Sequence, residues 1–457
     1  MPLLGIIYAQ INKCKHNSSR ENFMTKSITS RRDFLKTSAL AGAALSSVGT
    51  IRSVHAAENN TLKIGLVGCG GRGRGAIVNA LQADPNTKVV AVADAFESRA
   101  RNTAEILADQ FEDRASLKNT AFFGLEAYKQ VIDLCDVVLL CETPHFRPLS
   151  LRYAINAGKH VFCEKPVAVD GPGIRSVLES AKIAKEKNLN IVSGLCWRYD
   201  LNVQDMMKRV HDGAIGDVLS VRETYLTSRL WTQPRQENDT EMMFQVRNWY
   251  NFTWLSGDYN VEQHVHSLDK ALWAFKDEAP FAAYGVGGRM TRTDQPAYGD
   301  IYDLMGVVYE YKDGRTIYAF SRQQNNSYND TDDYFSGTLG NATILRGQIT
   351  GKNPYEQKKV SSDMYQLEHN ELFKAIRTGN TINNGDYMAK STMLGILGRE
   401  VCYTGRRITW EDMLNSDVAL VPEGYGNDAN PPTLPDANGR YKIHLPGEGL
   451  GYHQVVR

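Results

Sequence analysis

The sequence predicts a two-domain α/β chain whose first domain, residues 57–195, holds a parallel sheet with helices on both faces. Two observations carry that reading. A short apolar run at 63–67 enters a cluster of glycines and continues into a helical pattern at 76–81. Further apolar runs at 89–93, 137–140 and 160–163 alternate with helical stretches, one of them around 149–157. Strands alternating with helices in this way build parallel sheets, and such sheets bind ligands beyond the carboxyl ends of their strands.

Composition narrows the partners. Lys plus Arg and Asp plus Glu each number 52, so the formal charge is zero. That balance gives no support for nucleic acid or an anionic membrane as partner. The seven cysteines match neither a disulfide framework nor a zinc spacing. Ahead of the first strand, Ser30-Arg31-Arg32-Asp33-Phe34-Leu35-Lys36 precedes a small-residue apolar stretch from 37 to about 48. Paired arginines before a weakly hydrophobic run are the pattern of twin-arginine export, with Val54-His55-Ala56 as cleavage site. Residues 1–56 are therefore read as a signal region starting at Met24, and the mature chain as periplasmic. The run is too short to span a bilayer of ~30 Å.

The glycine cluster is Gly68-Cys69-Gly70-Gly71-Arg72-Gly73, a G-x-G-x-x-G between a strand and a helix. A second strand ends on Asp94, 21 residues beyond Gly73. Each part has a physical task. The glycines let the backbone turn tightly against a pyrophosphate, the helix amino terminus holds the anion, and the acid takes the ribose hydroxyls. This is the dinucleotide-binding Rossmann pattern. A carboxylate at the ribose favours NAD over NADP, although Arg72, Arg74 and Arg99 stand close in sequence. The strand at 137–140 runs into Cys141-Glu142-Thr143-Pro144-His145, and the strand at 160–163 into Glu164-Lys165-Pro166. A lysine at such an end can reach a bound nicotinamide or its substrate. Position alone fits a surface turn equally well.

The glycine turn, Thr143-Pro144, and then Ala157-Gly158-Lys159-His160-Val161-Phe162-Cys163-Glu164-Lys165-Pro166 arrive in that order and at fitting spacing. From residue 63 to about 410 the chain resembles the glucose-fructose oxidoreductase, inositol dehydrogenase and MocA family. The resemblance implies a second domain at 196–457 with a large open, mostly antiparallel sheet. It also implies helices at 366–405 that pack back on the first domain, and dimers or tetramers. It implies NAD(P)-dependent chemistry on a sugar, glycoside or cyclitol. Gly68, Gly70, Gly71, Arg72, Gly73, Asp94, Thr143, Pro144, His145, Glu164 and Lys165 match the cofactor-binding positions. Lys165 would hydrogen-bond the hydroxyl being oxidised, and the bond to Pro166 would be cis. A redox-neutral NAD-dependent glycosidase is the alternative within this relationship, and a non-catalytic NAD- and sugar-binding protein a second one.

The family's other site motif, an acid followed four residues later by histidine, falls on Glu262 and His266. Glutamate stands where aspartate is usual, and His264 where a small residue is usual. Val261, Val265, Leu268, Leu272 and Phe275 recur at helical spacing. On one helix Glu262 and His266 would lie about 40° apart, with Asp258 near the same face and His264 about 160° from His266. Residues two apart on a helix do not share a face, which argues against reading His264 and His266 as a metal pair. Arg198, Tyr199, Trp249, Asp258 and His264 are the candidates for substrate contact, since sugars present an apolar face and a polar rim. The tail from about Pro422 carries no readable motif.

Overall fold

The computed structural model describes residues 60–292 and 296–447. The signal region expected at 1–56 lies outside them. Element order in the first half is β1 (Leu62–Val67), α1 (Gly71–Ala83), β2 (Thr87–Asp94), α2 (Glu97–Gln110), β3 (Ala121–Phe123), α3 (Tyr128–Leu134), β4 (Val137–Leu140), α4 (Arg147–Asn156), β5 (His160–Cys163), α5 (Gly171–Glu186) and β6 (Ile191–Ser193). The six strands are all parallel in the order β3-β2-β1-β4-β5-β6. This is the doubly wound arrangement whose order reverses between β1 and β4, and ligands settle at that reversal. Ile64, Leu66, Val89, Val92, Val138 and Leu139 are fully buried, because both faces of a parallel sheet are covered.

A connecting helix α6 (Leu201–His211) leads to β7 (Val218–Thr227). Four short helices follow: α7 (Glu241–Arg247), α8 (Thr253–Ser256), α9 (Tyr259–Glu262) and α10 (Val265–Ala274). The second sheet adds β8 (Ala282–Gly288), β9 (Leu304–Glu310), β10 (Thr316–Gln323), β11 (Asp330–Gly337), β12 (Gly340–Thr343), β13 (Gln348–Gly351) and β14 (Tyr355–Glu356). The helices α11 (Met364–Thr378) and α12 (Gly385–Thr404), strand β15 (Ile408–Thr409) and helix α13 (Trp410–Leu414) close the order. The nine strands run β14-β13-β12-β11-β7-β10-β9-β8-β15, antiparallel except for β7 beside β10. The second half thus carries the large, mostly antiparallel sheet.

The helix α11 packs on α1 of the first half, and α12 lies against α5 and β8. A separate apolar core sits over the carboxyl ends of the first sheet. Phe96 after β2, Leu125 after β3 and Phe146 after β4 meet Phe244 of α7, Trp254 of α8, and Leu420 and Tyr441 of the tail. The tail that shows no motif is fixed by hydrogen bonds: the Leu420 N–H to Asp170, Tyr425 to His145, and Tyr441 to Glu241. Among the described residues no helix is long and apolar enough to cross a membrane.

Candidate active site

The glycine turn is shaped by close approach. Gly68 has φ +91°, and a Cβ there would lie 2.5 Å from the Cys141 carbonyl carbon. A Cβ on Gly73 would lie 1.8 Å from Gly68 O. Gly70 and Gly71 are different: a Cβ on either meets nothing within 4 Å. Two glycines therefore close the turn, and two leave an open backbone cradle at the start of α1, where a pyrophosphate fits. Asp94, at the end of β2, accepts the N–H of Cys69 through Oδ2 and that of Phe96 through Oδ1. Burial raises its carboxyl, while Arg99 and Arg74 oppose that shift. The Thr143 hydroxyl, at the end of β4, is buried without a hydrogen-bond partner. Open glycine backbone, an acid at the end of β2 and an unpaired hydroxyl at the carboxyl ends of the strands fit a dinucleotide.

Two of the predicted cofactor positions are otherwise engaged. The Arg72 guanidinium turns from the turn's mouth to Glu164 and, at 2.7 Å, to Glu368 of α11, with its plane over the Tyr365 ring. His145 is buried against Trp254, and its Nε2 lies 3.0 Å from the Tyr425 hydroxyl. Burial pushes the imidazole down to about 3, so it is neutral.

The peptide bond between Lys165 and Pro166 is cis. From this turn the Lys165 ammonium reaches across to the second half. It donates to Glu262 O at 2.6 Å and to Glu262 Oε1 at 2.8 Å. The side chains are 14% and 13% exposed, so the pair borders open space without being dissolved in it.

The single helix expected through 261–275 is interrupted. The α9 helix stops at Glu262, a turn occupies Gln263 and His264, and α10 begins at Val265. The His266 N–H bonds Gln263 O at 3.2 Å instead of the carbonyl four residues back, and His264 N–H reaches to Tyr259 O. The interruption frees the Glu262 carbonyl, and the Lys165 ammonium takes it. Sequence periodicity sees the apolar stripe, which continues across the break, and so misses the gap in the ladder.

His266 is buried at the start of α10. Its imidazole is held far below the usual range, first by burial and then by the positive charges of Lys165 and Lys270. The neutral ring is a proton acceptor, and since Nδ1 is enclosed and unpaired, Nε2 is the nitrogen available to a substrate.

The five expected substrate contacts divide. The Arg198 guanidinium is committed to Asp269 at 2.8 Å and Asp277 at 2.6 Å and stacks on Tyr387, which corrects its reading as a sugar ligand. Asp258 is fully buried and accepts the N–H groups of Tyr259 and Tyr302 and the Tyr403 hydroxyl. It holds the entry to α9 and does not face a sugar. Tyr199 donates to Asn384 Oδ1. His264 points into the core, with Nδ1 3.0 Å from Asn260 Oδ1 and Nε2 4.0 Å from Glu223. Trp249 is partly exposed and lies edge-on to Trp231. Sequence reasoning passed over Glu368, Lys270, Glu223 and Asp333. All are charged residues inside otherwise apolar patterns, and only their tertiary partners reveal them.

Fold and groove together define an NAD-binding oxidoreductase. Residues 62–194 match the Gfo/Idh/MocA oxidoreductase family with NAD-binding Rossmann fold. A glycosyl hydrolase family 109 protein of Streptomyces coelicolor is 24% identical over 64% of this chain and 66% of its own length. An inositol 2-dehydrogenase of Rhizobium meliloti is 29% identical over 59% of this chain and 71% of its own. The alignments thus span about two thirds of these relatives. The aldose-aldose oxidoreductase of Caulobacter crescentus shares the fold, with a TM-score of 0.59 at 18% identity over 76% of this chain and 99% of that one. Among the described residues, no group of three or more His, Cys, Asp and Glu could hold a metal ion.

Proposed function

We propose that this protein oxidises a CH–OH group of a sugar, glycoside or cyclitol, using a tightly held NAD. The observation that supports it most is the convergence of Lys165, Glu262 and His266 at the carboxyl end of β5. Bound NAD would supply a hydride acceptor. The protein's own part is proton and charge handling. His266 Nε2 accepts the hydroxyl proton. The Lys165 ammonium, with two of its three donors fixed by Glu262, directs the third toward the substrate oxygen as charge develops. Glu262 orients Lys165 through carbonyl and carboxylate together. Asp94 at the ribose favours NAD over NADP.

The glycosyl hydrolase relative supports a second reading, a redox-neutral glycosidase in which oxidation, elimination, water addition and re-reduction share one site. Twin-arginine export to the periplasm belongs to the same proposal. Free nicotinamide is expected to be scarce there, so a cofactor loaded before export would have to be regenerated in the site. An oligomer built on the second sheet is proposed from its exposed Tyr284, Val286, Tyr318 and Phe320. The test is product analysis on a panel of glycosides and cyclitols. Ketosugar with reduced cofactor supports the dehydrogenase, and free sugar without net reduction supports the glycosidase. No product from any of them would point to a binding protein.

A further inference from the structure

A catalytic imidazole is commonly oriented by a partner on the nitrogen that faces away from the substrate. In His266 that nitrogen, Nδ1, is enclosed and has no hydrogen-bond partner. The backbone must therefore place the ring, and at this point the ladder is irregular. The His266 N–H turns to Gln263 O just past the end of α9. The carbonyl of the same residue is held by a side chain. The Lys270 ammonium, one turn further along α10, donates to His266 O at 3.0 Å.

Lys270 is the one lysine among the described residues that is buried, with its side chain 1% exposed. An ammonium out of water costs several kcal/mol unless it is paired. Its partner is Asp333 Oδ2 of β11, 3.3 Å away, and the Trp197 ring lies 5.2 Å from Nζ. Asp333 stands opposite Glu223 of β7 in the antiparallel register, so two enclosed acids of the second sheet stand behind one lysine. Through that single side chain the first turn of α10 is tied to the interior of the sheet.

We propose that Lys270 positions the base: its ammonium pins the first turn of α10, and with it the His266 ring, to Asp333 of the second sheet. The inference rests on the reading of His266 as the base. It gives the break at Gln263 a consequence. A helix start released from α9 leaves the ring free to shift, and a misplacement of about 1 Å costs up to about 10²-fold in rate. The hold on the carbonyl removes that freedom. The charge acts in the same direction, because burial first, and then Lys165 and Lys270, keep the ring neutral, as a proton acceptor must be.

The test compares the full chain with Lys270→Met/Asp333→Leu, an exchange of ion pair for apolar contact that buried sites commonly tolerate. With histidines carrying 13C at Cε1, the His266 line is the one lost in His266→Gln. It should be single and sharp in the wild type. In the double variant it should broaden or split while the other histidine lines, His264 excepted, stay in place. On the panel of glycosides and cyclitols, kcat should fall about 10- to 10²-fold, with KM and bound NAD within twofold of the wild type. Asp333→Asn keeps Lys270 and removes only the charge behind it; it should loosen the ring less, and it decides the matter if the double variant does not fold. An unchanged His266 line with kcat within twofold would overturn the anchor, as would a raised KM at unchanged kcat. A loosened ring in a protein whose wild type turns over nothing in the panel would leave the anchor standing and overturn the reading of His266 as the base.

Discussion

The two turns that build the site differ in how they are specified. The turn at 68–73 is fixed by sterics: Gly68 sits at positive φ against Cys141, and Gly73 touches the Gly68 carbonyl. The turn at 263–264 is fixed by nothing in its own composition. Val261, Val265 and Leu268 would suit an unbroken helix, and Asp258 upstream is held by Tyr302 and Tyr403 from other elements. A necessity of shape can be read from residue types. A broken hydrogen-bond ladder, compensated by a lysine 97 positions away, cannot.

The comparison breaks most visibly at Lys165. Lys165→Met should lower turnover by about 10²–10³-fold while coenzyme content, measured on denatured protein, stays as in the wild type. Turnover within twofold of normal would remove Lys165 from the chemistry. The next contrast lies inside the glycine turn. Gly73→Ala should cost about 1–3 kcal/mol of stability by overpacking and lose coenzyme. Gly70→Ala, into open space, should keep its melting temperature and lose only affinity. Equal melting temperatures for the two variants would contradict the steric account.

Glu262→Gln keeps the backbone carbonyl for Lys165 and removes only the carboxylate charge. A charge-assisted bond of about 1.5 kcal/mol corresponds to a loss of about tenfold in turnover. A loss as large as that of Lys165→Met would instead show that the carboxylate, and not the freed carbonyl, holds the ammonium. The smallest effect belongs to His264. Burial and Lys270 push it down to about 3, so it is neutral in the fold. Below about pH 6.5 the unfolded chain takes up a proton that the fold refuses, and the wild type loses up to about 1.4 kcal/mol per pH unit on that account. His264→Asn lacks this group. Its stability deficit, measured by denaturant titration, should therefore be largest near pH 8 and shrink between pH 6.5 and 5. A constant deficit would mean that the fold takes up the His264 proton as readily as the unfolded chain does.

The legible part of this protein was whatever local sterics or period impose. The parallel sheet follows from strands that alternate with helices, and the open cradle of Gly70 and Gly71 follows from the fingerprint. The position of Lys165 at a strand end also came from spacing alone, whereas His264, taken as a substrate contact, points into the core. The resemblance to a known family added the open second sheet and the pairing of the Lys165 turn with the segment around His266. Arg198 and Asp258 were misjudged for one reason: polar residues near a presumed cleft look alike in sequence whether they face a ligand or a buried partner. Asp269, Asp277, Tyr302 and Tyr403 decide that question, and they come from other stretches of the chain.

The sequence by itself determined the coenzyme-binding half, because a backbone that must pass within contact distance of itself admits only glycine there. Tertiary structure alone decided that Arg72 serves two glutamates, that the helix breaks at Gln263, and that the tail seals the ends of β2, β3 and β4. Those features depend on charge and apolar surface meeting across long stretches of chain. Such energies belong to pairs of residues, and no local pattern records them.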